Sequence, residues 1–433
     1  MANQAQYRNC FLSVNLWPAT AALVVAIVVV SPSAALAQAF SVLHDFTYAQ
    51  DGNSYARLIM DRKGNLYGTA SGDGSLGYGT VFKMTHAGSG WVFAPLYSFQ
   101  GGSDGAYPIG SLTFGPDGSL YGTTSQGGGT YCSGRHGCGT VFKLSPPATA
   151  CKTALCPWTE TVLYSFTGGG DGSFPTGAVI FDPSGNIYGT AYYGGQSVKG
   201  CDEGQCGVVF KLTRSGSGWT ETTIHSFSGA PDGANPPREL VFDGAGNLYG
   251  TTYYGGYNAG LCPSGCGTVY QLTPSGSGWT ENVLYNFTGE DDGAEPFCGL
   301  IFDSLGNLYG ATLFSQNFSD AGAVFELTPS NGNWTFTLLH TLDTLGPQDT
   351  LAIDTAGNLY GAATGRREYT PGSVFKLTAS NGGWSYSTLH NFTFGGDGGN
   401  PFGGVLVDAA GNLYGTTWDG GAYGQGVVWE ITP

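Results

Sequence analysis

Short apolar segments, rich in β-branched and aromatic residues, recur along the chain between clusters of Gly, Pro, Asn, Asp and Ser. Four kinds of segment alternate in a fixed order. An apolar stretch such as Leu240-Val-Phe-Asp243 is followed by Leu-Tyr-Gly-Thr, then by Gly-Thr-Val-Phe-Lys-Leu, then by a Trp-led stretch such as Trp158 to Phe166. Segments of this length and composition, bounded by turn residues, are typical of β-strands. The pattern predicts a repeat of four strands, A to D.

One signature marks strand B of each repeat. Gly-Asn-Leu-Tyr-Gly or a close variant occurs seven times, beginning at Gly64, Gly118, Gly185, Gly246, Gly306, Gly357 and Gly411. Most connections between the segments are short, so neighbouring strands should pair antiparallel. Tandem repeats of four antiparallel strands are typical of a β-propeller, in which each repeat forms one blade.

The two ends of the repeat region complement each other. The last repeat ends after its strand C, Val427 to Thr432, and has no strand D. A segment of the D type, Ser41-Val-Leu-His-Asp-Phe46, precedes the first repeat and aligns without gaps on Thr161 to Phe166. Pairing it with Val427–Ile431 would close a ring and remove two exposed sheet edges. The sequence therefore predicts an all-β, seven-bladed propeller whose N-terminal strand completes the last blade.

The first 39 residues do not share the repeat pattern. An apolar run spans residues 20–30, and small residues follow it up to Ala37 and Ala39. This layout is typical of a secretory signal peptide cleaved after one of those alanines. An uncleaved anchor is the alternative, although the run is short for a membrane span. We predict a signal peptide at 1–39 and a single propeller domain at 40–433, with no membrane span in the mature chain.

Composition and charge narrow the class of protein further. The chain of 433 residues contains 74 Gly, 14% aromatic residues and only 11% charged residues, which favours short strands over amphipathic helices. The formal net charge of −16 disfavours nucleic acid and anionic membranes as partners. We expect a monomer in a secreted or periplasmic location.

Ten cysteines are present, and eight of them form close pairs along the mature chain. The pairs are Cys132 with Cys138, Cys151 with Cys156, Cys201 with Cys206 and Cys262 with Cys266. Exported proteins meet an oxidising compartment, so we predict four local disulfides and leave Cys298 over. Zinc sites are the alternative, but the spacings differ from pair to pair and no His pairs accompany them. We predict no metal at these positions.

The repeat resembles a known family. Leu-Tyr-Gly-Thr-Thr, then Gly-Cys-Gly-Thr-Val-Phe-Lys-Leu, then Leu-Tyr-Ser-Phe and Asp-Gly-x-x-Pro are similar to the bacterial GloVer tandem repeat of choice-of-anchor proteins. The resemblance covers nearly all of residues 40–433 and implies an exported bacterial protein, without implying an activity. This chain departs from the anchored members, because Pro433 follows the last strand directly.

The B–C loops vary most in length and composition, and variable loops on a fixed scaffold commonly carry function. They share one face with the D–A loops, and three of the four cysteine pairs lie in them. Exposed aromatic rings can stack on sugars or anchor a protein. Packing between blades is the alternative for rings close to strand B. We predict ligand binding by the aromatic residues Tyr193, Tyr254, Tyr257, Phe318, Trp418 and Tyr423.

The D–A loops carry a second recurring element, Asp-Gly-x-x-Pro. Its aspartates are Asp104, Asp171, Asp232, Asp292 and Asp397, and Asp51-Gly52 is a version without the proline. A ring of carboxylates near the channel mouth could bind a ligand or Ca²⁺. The favoured alternative is that each Asp caps its own turn, because one aspartate per blade leaves them far apart. No other cofactor is expected.

No catalytic constellation is evident in the sequence. His44, His225, His340 and His390 occupy one position of strand D, which indicates packing, and His136 is the best remaining candidate. No nucleophile elbow, P-loop or dinucleotide fingerprint occurs. The favoured function is a binding module or scaffold for extracellular glycan or protein. The alternatives are a polysaccharide lyase or hydrolase with a carboxylate and tyrosine site at the channel mouth, and a purely structural surface protein.

Overall fold

A computed structural model shows a ring of seven four-stranded antiparallel sheets. It describes residues 38–433 apart from 48–50, 73–75, 89, 130–131, 133–135, 148–157, 199–200, 258–261, 316–320, 366–369 and 381–382. The predicted signal segment therefore lies outside the described residues, except for Gln38 and Ala39. The described part forms one compact unit, and no helix in it is long and apolar enough to cross a bilayer.

The strands follow the predicted order in every blade. The A strands are Ile59–Met60, Thr113–Phe114, Ile180–Phe181, Val241–Phe242, Ile301–Phe302, Ala352–Ile353 and Leu406–Val407. The B strands are Leu66–Ala70, Leu120–Thr124, Ile187–Ala191, Leu248–Thr252, Leu308–Thr312, Leu359–Ala363 and Leu413–Thr416.

The C and D strands are longer and form the outer half of each sheet. The C strands are Thr80–Ala87, Thr140–Ser145, Val208–Ser215, Thr268–Ser275, Ala323–Ser330, Ser373–Ser380 and Val427–Thr432. The D strands of blades 1 to 6 are Gly90–Ser98, Thr159–Ser165, Gly218–Ser226, Gly278–Asn286, Asn333–Thr341 and Gly383–Asn391, and that of blade 7 is Ala39–Asp45. A single 3₁₀ turn, Asp202–Gly204, interrupts a B–C loop of the described chain.

The predicted ring closure is confirmed. Ala39–Asp45 pairs antiparallel with Val427–Thr432, and Val42 lies opposite Trp429. The Phe40 ring stacks on His390 of the preceding blade at 3.9 Å between centroids. The N-terminal strand Ala39–Asp45 therefore completes the sheet of blade 7, and it also packs on blade 6.

Each blade packs on the next through aromatic and aliphatic side chains. One cluster joins Tyr249 of blade 4 to Leu308 and Phe325 of blade 5, and similar clusters recur around the ring. The glycine of strand B lies under the Phe of strand C; a Cβ on Gly310 would stand 2.6 Å from the Phe325 ring. This close approach explains why a glycine follows the tyrosine of strand B in every blade: an aromatic ring of the neighbouring strand C fills the space above it.

The A–B turn explains the rest of the signature. In blade 4, Asp243 Oδ1 accepts hydrogen bonds from the backbone N–H groups of Ala245 and Asn247. Its Oδ2 accepts from the Asn247 side chain at 2.7 Å and from the Tyr249 hydroxyl at 3.0 Å. Equivalent aspartates do the same at Asp61, Asp182, Asp303, Asp354 and Asp408. Asp, Asn and Tyr are thus three parts of one turn-capping cluster.

Candidate functional site

The D–A and B–C loops meet on one face of the ring, as predicted. In six blades, the residue after Asp-Gly forms a single antiparallel bridge with the B–C loop of the same blade. The bridged pairs are Asn53–Ser71, Ala106–Gln126, Ser173–Tyr193, Ala234–Tyr254, Ala294–Phe314 and Gly399–Asp419. These bridges hold both loop types in one layer around the mouth of the central channel.

A cavity of about 570 Å³ occupies this mouth. Side chains from the D–A and B–C loops of several blades line it, and aromatic rings predominate. The aromatic lining residues are Tyr55, Tyr107, Phe174, Tyr192, Tyr193, Phe297 and Trp418. Its volume is within the range of small-molecule sites, which are concave, largely apolar and bear a few polar groups. The cavity is the best candidate site in the described structure.

The aromatic rings form contacts that hold their planes in place. Tyr55 and Trp418, from blades 1 and 7, lie 3.9 Å apart between centroids. On another side of the mouth, Phe174 lies 5.7 Å from Tyr193, which lies 4.8 Å from Tyr192. Rings that already rest on one another lose little side-chain entropy when a ligand binds.

A disulfide loop positions Tyr193. Cys201 is bonded to Cys206, and the 3₁₀ turn between them carries Asp202. The Asp202 carboxylate accepts a hydrogen bond from the Tyr193 hydroxyl at 2.9 Å. The backbone N–H of Asp202 in turn donates to the side chain of Asn235, which is fully buried. The phenol of Tyr193 is therefore held from outside the cavity, so its ring faces the mouth in a fixed orientation.

The disulfides also anchor the following D–A loop. The carbonyl groups of Cys138, Cys206 and Cys266 accept hydrogen bonds from the N–H groups of the fourth residue of the next Asp-Gly-x-x-Pro loop. In all five Asp-Gly-x-x-Pro loops the fourth residue adopts a left-handed backbone conformation, although none is glycine. These residues are Tyr107, Phe174, Asn235, Glu295 and Asn400. Such a conformation costs a non-glycine residue about 1 kcal/mol or more. It recurs at the same position of all five loops with different side chains, so the backbone conformation belongs to the shared loop frame while the side chains vary.

A network of polar side chains spans the channel below the cavity. Arg57 pairs with Glu239 at 3.5 Å, and the Thr350 hydroxyl donates to Glu239 at 2.5 Å. The backbone N–H of Arg57 donates to Ser111 and to Asp349. These residues come from blades 1, 2, 4 and 6, each one or two positions beyond the cavity-lining residue of its loop. The carboxylates of the network are therefore occupied and stand outside the cavity lining.

The family follows from a comparison along the whole repeat region. A family model described as the Gloeobacter/Verrucomicrobia repeat matches residues 28–201, 130–346 and 262–433. The chain belongs to the Gloeobacter/Verrucomicrobia repeat family. The resemblance noted in the sequence is thereby confirmed. Comparison of the sequence with curated proteins finds no match.

Solved structures similar to this Gloeobacter/Verrucomicrobia repeat protein have low sequence identity to it. A fungal alcohol oxidase of the AA5 family in complex with copper is 10% identical, with a TM-score of 0.53, over 91% of this chain and 76% of that one. A putative 6-phosphogluconolactonase from Bacteroides fragilis is 16% identical, with a TM-score of 0.46, over 77% and 82%. A putative glucose dehydrogenase from Thermus is 17% identical, with a TM-score of 0.42, over 74% and 95%.

The predicted aromatic residues fall into separate groups in this repeat protein. Tyr193 and Trp418 line the cavity, and Tyr254 packs beside the lining through Tyr253. Tyr257 and Tyr423 are 68% and 65% exposed and lie outside the lining. Phe318 lies outside the described residues. Tyr192 and Trp418, close to strand B, each contact an aromatic ring of a neighbouring blade, as the packing alternative expected, and they also line the mouth.

The six D–A aspartates hold their own loops. Asp171 accepts hydrogen bonds from the Tyr164 hydroxyl at 2.9 Å and from the backbone N–H of Thr167 at 2.7 Å. The same pattern joins a strand D tyrosine or histidine to Asp51, Asp104, Asp232, Asp292 and Asp397. This is the turn-capping arrangement that the sequence favoured, and none of these aspartates lines the cavity. Within the described residues, no three His, Cys, Asp or Glu side chains converge in a way that could hold a metal.

Three of the four predicted disulfides are present: Cys132 is bonded to Cys138, Cys201 to Cys206, and Cys262 to Cys266. They indicate an oxidising environment.

The fourth predicted disulfide, between Cys151 and Cys156, is not among the bonds that the structure describes. Both Cys151 and Cys156 lie outside the described residues, so their pairing stays a prediction. Cys298 is a free, fully buried thiol whose pKa burial raises to about 12, and its Sγ donates a hydrogen bond to the Asp349 carbonyl group at 2.9 Å, so it is held as an unreactive protonated thiol.

Sequence reasoning missed several lining residues. Tyr55 takes the proline position of the first D–A loop, Phe297 directly follows that position in its own loop, and Tyr107 and Phe174 directly precede it. A signal was available for Tyr107 and Phe174, because the residue before the proline is aromatic in two of the five Asp-Gly-x-x-Pro loops.

A second concavity lies on the opposite face, between blades 3 and 4, with a volume of about 830 Å³. Tyr188 and Phe242, two of its lining residues, make an edge-to-face contact at 5.2 Å. The same contact recurs as Tyr121–Phe181 and Tyr249–Phe302 at other blade junctions. Because its chemistry repeats around the ring, this groove is explained by blade packing.

Proposed function

We propose that the protein is an exported binding module whose ligand site is the cavity at the mouth of the propeller, and that its ligand is an extracellular glycan. The observation that carries this proposal is the convergence of seven aromatic rings from five blades on one concave site. Aromatic faces stack on the apolar faces of sugar rings, and the polar side chains between them can bind hydroxyl groups.

The polar part of the lining suits a sugar. Asn53, Ser125, Gln126, Thr176 and Gln348 stand between the aromatic rings and supply both donors and acceptors. A protein partner would be expected to use a broad surface rather than a confined cavity. Three disulfides brace the surrounding loops, which suits a site that works outside the cytoplasm.

A polysaccharide lyase or hydrolase draws less support from the site. Glycoside hydrolysis commonly requires a pair of carboxylates beside the sugar. None of the described lining residues is a carboxylate, and Glu239 and Asp349 below the cavity are engaged in the cross-channel network. Burial, followed by the nearby Asp202, raises the pKa of Tyr192, which disfavours its phenolate as a general base.

The test is binding of the protein to an array of bacterial and plant glycans, followed by calorimetric titration of the glycans retained. Trp418→Ala and Tyr193→Ala should each weaken binding about tenfold, since aromatic residues at the centre of a site commonly contribute more than 1 kcal/mol. Tyr257→Ala and Tyr423→Ala are matched controls, because both rings are exposed outside the lining. Equal losses in all four variants, or no glycan retained, would contradict the proposal.

A further inference from the structure

One charged side chain lines the cavity among the residues that the structure describes. Arg238 follows two prolines in the D–A loop entering blade 4, and every other described lining residue is neutral. Its residue surface is only 7% exposed, and its Nε is buried without a hydrogen-bond partner. The chain as a whole carries a net charge of −16, so an isolated cation at this position runs against its overall charge.

The neighbouring Arg57 provides a contrast, because its guanidinium has a carboxylate partner in this channel. Arg57 is paired with Glu239, which also accepts a hydrogen bond from Thr350. Arg238 precedes Glu239 directly in the chain, yet no ion pair joins it to a carboxylate in the described part of the structure. Its guanidinium carbon lies 5.1 Å from the centre of the Phe297 ring, a cation–π contact that holds the group against the cavity wall.

A buried guanidinium without an anion is costly, because the charge has lost water and gained no opposite charge. An anion entering the mouth would recover that cost and would find a planar donor that matches a carboxylate. The buried Nε and the aromatic contact therefore point to a missing ligand group of negative charge.

We infer that the ligand carries a single carboxylate, as in a glycan containing an isolated uronic acid, and that Arg238 recognises it. This inference rests on the proposed function and specifies the class of sugar. One positive charge matches one negative charge, whereas a polyanion would be repelled by the acidic surface of the chain. The neutral sugars on either side of the acid would stack on rings such as Tyr193 and Trp418.

The experiment compares two trisaccharides that differ only at one carbon: one ends in glucuronic acid, and its carboxyl-reduced counterpart ends in glucose. Calorimetry should show at least tenfold tighter binding of the acidic trisaccharide to the unaltered protein, because charge-assisted bidentate contacts are strong. A 6-sulfated trisaccharide forms the third arm and separates carboxylate recognition from general anion binding; it should bind more weakly than the acidic one.

Arg238→Met keeps an apolar chain of similar length against Phe297 and removes the charge. It should bind the acidic and reduced trisaccharides equally, with affinity for the reduced one unchanged. The control is Arg214→Met, an exposed arginine that lies 5.2 Å above the Trp219 ring on the outer part of blade 3 and should leave the preference intact. Thermal unfolding of each variant checks that it is folded, and the preference of the unaltered protein tests the inference without any variant.

Equal binding of the acidic and reduced trisaccharides by the unaltered protein, still weakened by Trp418→Ala, would overturn the carboxylate inference and leave the glycan site standing. Tighter binding of the sulfated trisaccharide would overturn the choice of carboxylate. Failure of all three sugars, and of every glycan on the array, would overturn the proposed function and the inference with it.

Discussion

The two faces of the ring are built from the same repeat but differ in how much each blade is allowed to vary. On the face of the A–B turns, Asp243, Asn247 and Tyr249 form a hydrogen-bonded cluster that recurs with the same residues in six blades. In blade 2 an aspartate at a different position of the A–B turn forms the cluster. The Asp117 carboxylate accepts a hydrogen bond from the Tyr121 hydroxyl and pairs with Lys143 at 2.5 Å. On this face, the hydrogen bonds of the A–B turn restrict which residue types occur at these positions.

On the opposite face, only part of the loop is constrained. The D–A aspartates recur because each holds its own turn, but the residues between Asp-Gly and strand A differ from blade to blade. Those differing residues converge at the mouth, where they supply aromatic rings, amides and Arg238. Within one D–A loop, therefore, the repeated residue is structural and the variable residues are the candidates for function.

The largest effect should come from the turn face. Asp243→Ala removes the acceptor of four hydrogen bonds, and the free energy of unfolding should fall by about 3 kcal/mol. Glycan affinity should not change, because the turn lies on the face away from the mouth. Chemical denaturation and calorimetry measure the two quantities, and Asp291→Ala, an exposed acidic residue of a D–A loop, is the control. A weakened affinity with unchanged stability would reverse the assignment of the faces.

A smaller effect is expected from the disulfide loop at the mouth. Replacing both Cys201 and Cys206 by Ser should lower the free energy of unfolding by about 2 kcal/mol on the loop-entropy model. It should also weaken ligand binding several-fold, since Asp202 then holds the Tyr193 hydroxyl less firmly. The matched variant replaces Cys262 and Cys266, whose loop makes no such contact with a lining residue in the described structure. Equal affinity losses in the two variants would refute the positioning role of Asp202.

The smallest effect should be on the pH dependence of stability, through three glutamates on the outer D strands. Burial first, and then a nearby D–A aspartate, raises the pKa of Glu160, Glu221 and Glu281 to about 7 from an ordinary value of 4.5. The folded state thus favours the protonated carboxyls, and the stability they contribute is present below pH 4.5 and lost as pH rises through about 7. The melting temperature should therefore fall between pH 5 and pH 8.

Replacing these three glutamates together by Gln should flatten that dependence, as thermal unfolding at several pH values would show. Glu290→Gln, an exposed residue of a D–A loop, should leave the slope as it is in the unaltered protein. An unchanged slope in the triple variant would show that other groups set the pH dependence of stability. Binding at the mouth should be unaffected, because none of the three lines the cavity.

The number and order of the sequence repeats were enough to predict the fold. The seven copies of the strand B signature, together with the D-type segment before the first repeat, predicted the ring and its closure, which the pairing of Val42 with Trp429 confirms. The cysteine spacings predicted the three disulfides that are seen. These features depend on residues close in sequence or on exact equivalence between repeats, so they can be found without knowing any long-range distance.

The site was predicted only in part. The D–A and B–C loops share one face as predicted, and Tyr193 and Trp418 line its cavity, whereas Tyr257 and Tyr423 are exposed outside the lining. Tyr55 and Phe297 were overlooked because most loops have no aromatic residue at their positions: proline takes the position of Tyr55 in the five Asp-Gly-x-x-Pro loops, and only Phe402 matches Phe297. A repeat pattern shows which residues are equivalent; it does not show how closely seven loops approach one another around an axis.

The sequence by itself determined the strands, the turns, the ring and the braced loops, because strand patterning, turn chemistry and cysteine spacing act over a few residues and repeat seven times. Only the tertiary structure decided which side chains meet in the cavity, and that Arg57 pairs with Glu239 whereas no ion pair joins Arg238 to a carboxylate among the described residues. Those contacts join residues from different blades, and their distances depend on how the blades are packed around the channel.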